Sequence, residues 1–313
     1  MAYAVGTAFQ VGMALVELIP SARHSPPAAK WSPWFAWCVR LHVPLQAILL
    51  GLGVWMAQQQ ASTALGVLAV IAMGIGVGSV TGSQGITFAH ELGHSKSRLD
   101  RVLGWFLMAS VNYCHFMVEH FRGHHPRAAT HADPASARRG ETLWRFLPRT
   151  LSGSLRSAWS LESQQLRTLR RPWHKSPLLW ATAAQVTWMI FLGVAFGPLA
   201  LVFWLVQSVY AVFLLETINY VEHYGLVRSD TNGKREPFAM HHAWNADHWL
   251  TNSLIANLQR HSDHHMHAWK PYATLEALPG PQLPTGYAGC IWLAAVPRLW
   301  FKIMHPRLDK LAV

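Results

Sequence analysis

From Ser62 to Ala89 the chain runs for 28 residues without a charged side chain. A helix needs about 20 apolar residues to cross a bilayer, and in hydrocarbon every backbone N–H and C=O must be paired within its own segment. That run therefore points to a membrane helix. Three more stretches behave alike. Trp34 to Ala57 carries only Arg40, Leu178 to Phe196 carries no charge, and Leu199 to Val221 carries only Glu216. Ala2 to Ile19 is a shorter candidate, with Glu17 near its end. The chain is 51% hydrophobic and 13% charged with 16 Trp. Its mean hydropathy of +0.15 requires a sizeable polar part beside the spans.

The links fit hairpins. "AQQQAS" joins the second and third stretches, Gly197-Pro198 breaks the last two, and the Pro-rich "SARHSPPAAK" divides the first from the second. The net charge is +11, and Arg122 to Lys175 holds 11 Lys and Arg against 3 Asp and Glu. Basic segments beside apolar spans mark the cytoplasmic side, so nucleic acid is excluded as a partner. Five spans would then put Met1 outside, an awkward start for a chain with no evident signal peptide. Val102 to Val118 is apolar too, but a crossing there would separate two histidine clusters. It is read as one helix lying in the cytoplasmic interface. Cys38, Cys114 and Cys290 lack CxxC spacing and are read as small core residues.

Nineteen histidines occur, and nine of them cluster at the ends of the apolar stretches. "HELGH" supplies His90 and His94, "EHFRGHH" supplies His120, His124 and His125, "NYVEHYG" supplies His223, and "LQRHSDHH" supplies His261, His264 and His265. Residues three or four apart share a helix face. His90/His94, His120/His124 and His261 with His264 or His265 can each offer two imidazoles to one ion. Glu91, Glu119, Glu222 and Asp263 stand close enough in sequence to orient those rings from behind. The isolated His24, His42, His115, His174 and His305 are read as hydrogen-bonded core residues. His131, His241, His242, His248 and His267 are read as loop histidines.

"HELGH" alone matches H-E-x-x-H, the helix motif of zinc proteases, with the Glu as general base. A catalytic zinc takes about three protein ligands, which would leave six of the nine histidines without a task. Two ions of four or five imidazoles each would use them all, and all-nitrogen sites of that size suit iron better than tetrahedral zinc.

The four motifs, in order and at similar separations, resemble those of the integral-membrane alkane 1-monooxygenases. "ATHADPASARRGE", "FLPRTLSGSLRSAWSLE", "HHAWNADHW" and "LPTGYAGCIWL" extend the likeness over nearly the whole chain. The resemblance implies that the nine histidines ligate two non-haem irons. It implies that O2 is used to convert n-alkanes to primary alcohols, with electrons from rubredoxin and its nicotinamide-dependent reductase. No flavin, haem or nicotinamide motif is present, consistent with an external electron supply. The setting implied is a bacterial inner membrane, with the site near the cytoplasmic face. Ser95 stands where the family usually has Lys, and Ala2 to Ile19 resembles the family's second span, so a first span is unaccounted for. Xylene and cymene side-chain monooxygenases are the nearest rivals, and Glu222 before His223 favours the alkane enzymes.

The expected fold is an all-α transmembrane bundle of five to six spans with a His-rich cytoplasmic cap. Residues 1–89 and 178–222 would form the membrane helices. Residues 90–177 would form the interfacial histidine region and 223–313 the cap, all in one catalytic domain. The glycines of Ser62 to Ala89 allow two readings: close helix packing, or a substrate corridor leading to His90.

Overall fold

The computed structural model describes residues 2–19, 25–60, 65–231 and 234–311. The fold is all-helical apart from a two-residue antiparallel pairing of Asp230–Thr231 with Lys234–Arg235. His24 and part of the "AQQQAS" link lie outside the described residues. Two compact units emerge, each assembled from separate stretches of chain.

The first unit comprises residues 1–10, 32–119 and 158–215. Its framework is four helices long and apolar enough to cross a membrane: Pro33–Gln59, Gly66–His94, Pro177–Phe196 and Pro198–His223, the last running on beyond this unit. A fifth span was expected from Ala2 to Ile19, but the helix there covers only Ala2–Val16. At 1.5 Å per residue it is about 22 Å long, short of the roughly 30 Å hydrocarbon core.

The faces of these helices explain why they need lipid. Along Pro33–Gln59, Trp34, Trp37, Leu41, Leu45, Ile48, Leu52 and Trp55 are all exposed, a stripe at helical spacing. An apolar surface of that extent is unsuited to water. Leu50, Val54, Val70, Met73, Leu192, Phe203 and Trp204 make the opposite, inner face of the bundle.

The glycines of the uncharged run settle between the two readings. A Cβ at Gly74 would meet Val206 at 2.7 Å, one at Gly78 the Gln207 carbonyl at 2.8 Å, and one at Gly82 the Ala211 backbone at 2.8 Å. Spaced by four, they form a smooth ridge against Pro198–His223, which is close packing rather than a corridor. Polar side chains tie the bundle together. Thr81 donates to Gln207, Gln207 donates to the Ser110 carbonyl, and Gln46 bridges His42 and the Ser110 hydroxyl. Gly197, at φ +83°, turns the chain between two spans, and Pro198 opens the next.

Val102 to Val118 is not one helix. Arg98–Ser110 ends in a turn at Val111 and Asn112, with Asn112 at φ +55°, before the short helix Phe116–Glu119. Thirteen residues are too few to span. Cys114 is buried as expected, but Cys38 is exposed on the outward face of its helix and His174 is exposed as well.

The second unit comprises residues 11–31, 120–157 and 216–313. Its core is aromatic, with Tyr220, Tyr224, Trp244 and Trp300 fully buried. Its loops are held by buried polar groups rather than by long helices. Arg260 donates to the carbonyls of Pro26 and Leu275 and to Asp247. Asn245 accepts from the Ser262 N–H and donates to its hydroxyl. Those bonds fix the approach to the short helix His261–Met266, whose first five residues are all buried.

Candidate metal centre

Within the second unit, His124, His223, His261 and His265 each turn one ring nitrogen to a common point, with these atoms within 4.8 Å of one another. The Nε2 atoms of His223 and His261 stand 3.2 Å apart. Two ligands in adjacent positions on an ion about 2.1 Å from each are separated by about 3.0–3.4 Å. All four rings are buried, and His124 Nε2 and both nitrogens of His265 have no hydrogen-bond partner. An unmet buried nitrogen costs about 1–3 kcal/mol. Several facing one point suit a cation, so the donor set fits a metal. Burial, followed by the neighbouring His261, His125, His124 and His223, holds the His265 ring well below the usual imidazole range. A ring kept neutral is ready to ligate.

A second convergence uses three other clustered histidines of this unit. His120 and His125 bring their Nε2 atoms to 3.0 Å, and His264 comes within 3.3 Å of His125. One nitrogen has either a proton or a lone pair, so His125 Nε2 cannot serve both neighbours well as a hydrogen-bond partner. Burial, and then the neighbouring His124 and His223, push His125 down to about 3. In the first unit, His90 and His94 sit one turn apart on Gly66–His94 with Nε2 atoms 3.3 Å apart.

The local backbone explains this sorting. His120–His124 is a π-helical turn, in which residues five apart align instead of four. His120 therefore pairs with His125, and His124 faces the other group. The expected His120/His124 pairing for one ion is not what the fold presents. In His261–Met266 the ordinary α spacing of four aligns His261 with His265 and turns His264 aside. A second π turn, Thr81–Gly85, precedes His90.

The carboxylates divide in the same way. Glu222 Oε1 lies 3.2 Å from His261 Nδ1. Asp263 instead faces His267, Lys270 and the Glu276 N–H. Glu119 is buried and Glu91 half-buried. The carboxylate that sequence reasoning passed over is Asp133, within "ATHADPASARRGE". His124 Nδ1–H donates to Asp133 Oδ2 at 2.9 Å, so the lone pair of His124 must sit on Nε2, facing the group. Burial alone would raise the Asp133 carboxyl, but His124 and the Ser136 hydroxyl at 2.6 Å bring it down to about 2. The Asp-Pro-x-Ser run was the available sign, since a buried Asp capped by its own loop is held in place.

Of the remaining histidines, His42 and His305 are hydrogen-bonded to Gln46 and Tyr224. Glu236, His241 and His242 also draw together. There His242 Nδ1 accepts the Ala239 N–H, so Nε2 carries the proton facing Glu236. That arrangement is a hydrogen-bonded loop, not a ligand set.

The model of the fatty acid desaturase family matches residues 62–294. Alkane 1-monooxygenase 2 of Pseudomonas aeruginosa is 41% identical over 270 residues, covering 83% of this chain and 71% of that protein. The chain belongs to the alkane 1-monooxygenase family. Alkane 1-monooxygenase 1 of the same organism is 42% identical over 75% of this chain and 62% of its own length. The chain thus spans about two thirds of the length of these relatives. The hydroxylase component XylM of the xylene/toluene monooxygenase of Pseudomonas putida is 28% identical over 90% of this chain.

Proposed function

We propose that this chain hydroxylates the terminal carbon of n-alkanes to primary alcohols, using O2 at two histidine-bound irons and electrons from rubredoxin. The convergence of imidazole nitrogens at separations of 3.0–3.3 Å carries the reading. The names of the two Pseudomonas aeruginosa relatives, alkane 1-monooxygenases at 41–42% identity, supply the substrate class. One ion belongs to His124, His223, His261 and His265; His120, His125 and His264 of the same unit, and the His90–His94 pair of the first unit, are the remaining ligands we propose. We place the chain in a bacterial inner membrane with this site near the cytoplasmic side.

The bound irons would supply the activation of O2 that an unpolarised C–H bond demands. The protein's own part is placement. Asp133 sets the tautomer of His124, and Glu222 stands behind His261. Burial disfavours the doubly protonated form of the His125 and His265 rings, which leaves each a lone pair for a metal. The apolar outer faces of the spans keep the chain in the phase where alkanes dissolve, and each CH2 buried in protein contributes about 0.8 kcal/mol.

The test is elemental analysis of the purified protein in detergent, then turnover of an n-alkane series with rubredoxin and its reductase. Two irons per chain and 1-alkanol product are expected. One zinc with no iron would overturn the proposal and return attention to the H-E-x-x-H motif.

A further inference from the structure

Tyr287 lies in "LPTGYAGC", and its side chain is almost wholly buried. Its hydroxyl donates to Glu222 Oε1 at 2.6 Å and has the Leu258 carbonyl at 3.1 Å. A phenol has one proton, and the short contact to the carboxylate takes it. The same oxygen of Glu222 lies 3.2 Å from His261 Nδ1. The hydroxyl is hydrogen-bonded to the carboxylate, and the carboxylate stands at ion-pair distance, without an aligned hydrogen bond, from a ring of the four-histidine group.

The tyrosine is itself fixed. Helix Tyr287–Ala295 begins at Gly286, where a Cβ would collide with the carboxylate of Glu17. That carboxylate accepts from the N–H groups of Ala288 and Gly289 at 3.3 and 2.8 Å, and from the Thr251 hydroxyl at 2.5 Å. It occupies the donor-rich end of the helix, where negative charge is favoured. Glu17 therefore pins the turn that holds Tyr287.

We infer that Tyr287 is a positioning residue for the four-histidine metal group, acting through Glu222 on His261. The inference rests on the metal reading above. Partners behind a ligating histidine fix its tautomer and ring orientation, and losing one lowers metal affinity about 10–100-fold. Tyr287→Phe keeps the ring and deletes only the hydroxyl.

The experiment is an anaerobic Co2+ titration of the full-length apoprotein in detergent, following the optical bands of bound cobalt in wild type, Y287F, E222Q and the double variant. Wild type should take two ions. Y287F should bind one of them at least tenfold more weakly, with altered bands, while the other ion keeps its wild-type affinity. In the E222Q background, Y287F should add nothing, because its effect runs through that carboxylate. Two ions of unchanged affinity in Y287F would overturn the inference, as would equal losses with and without Glu222. Fewer than two ions in wild type would instead strike the two-metal reading beneath it.

Discussion

Asp133→Asn isolates the contribution of a carboxylate to a ring it does not share with any ion. The Asp133 Oδ2 atom accepts from His124 Nδ1 at 2.9 Å and from the Ser136 hydroxyl at 2.6 Å, and Oδ1 accepts the Ala135 N–H at 3.2 Å. Asn has nearly the same volume, and its carbonyl can keep one of these bonds. Its NH2 would face groups that now donate to the carboxylate. Turned toward His124, it would move the ring proton from Nδ1 to Nε2, where it blocks ligation. The expected loss is that of a partner behind a metal ligand, about 10–100-fold in affinity, or about 1.4–2.7 kcal/mol. His124 belongs to the four-histidine group, so one ion should weaken while the other holds. Competition of the apoprotein with a chelator for Fe2+ or Co2+ measures both. Two ions of wild-type affinity in D133N, with unchanged stability, would refute the reasoning. Equal weakening of both would place the role of Asp133 in the loop and not in the ring.

Replacing any of the nine clustered histidines by Ala should lower iron content and abolish hydroxylation, whereas His305→Gln should change neither, as read by elemental analysis and product formation. Gly78→Val should destabilise the first unit by about 1–3 kcal/mol, as overpacking does, since its Cβ meets the Gln207 carbonyl at 2.8 Å. Gly76→Ala has open space and should be silent in the same detergent melting assay. The apoprotein should lose stability on acidification. Burial lowers His125 to about 3 and His115 to about 4. The unfolded chain, with ordinary histidines near 6.5, then binds more protons than the folded one. The loss begins as pH falls through about 6.5, at about 1.4 kcal/mol per pH unit for each such ring. Melting temperatures of the apoprotein from pH 7.5 to 5 would measure it, and a flat profile would contradict it.

The helical class, the positions of the four long apolar helices and the clustering of histidines were legible in the sequence because each rests on a local rule. An uncharged run of 28 residues has few ways to satisfy its backbone. Imidazoles three or four residues apart share a face where the backbone is α-helical. The boundaries found, Pro33–Gln59 and Pro177–Phe196, lie within a residue or two of those read from charge and hydropathy. The break at Val111 was missed because apolar composition does not say where a helix ends, and Ala2 to Ile19, read as a shorter candidate, holds a helix of only Ala2–Val16.

What the tertiary structure decided is the sorting of rings and the identity of their partners. A π turn at His120–His124 shifts the spacing from four to five, which no periodicity count distinguishes from an α turn. Asp133 comes from a loop nine residues from His124, and Tyr287 stands 65 residues from Glu222. Sequence fixes which groups are present and which faces they share within one helix. Contacts between separate stretches depend on how loops held by Arg260, Asn245 and Glu17 close on one another. Those bonds are long-range, so only the folded chain brings the partners together.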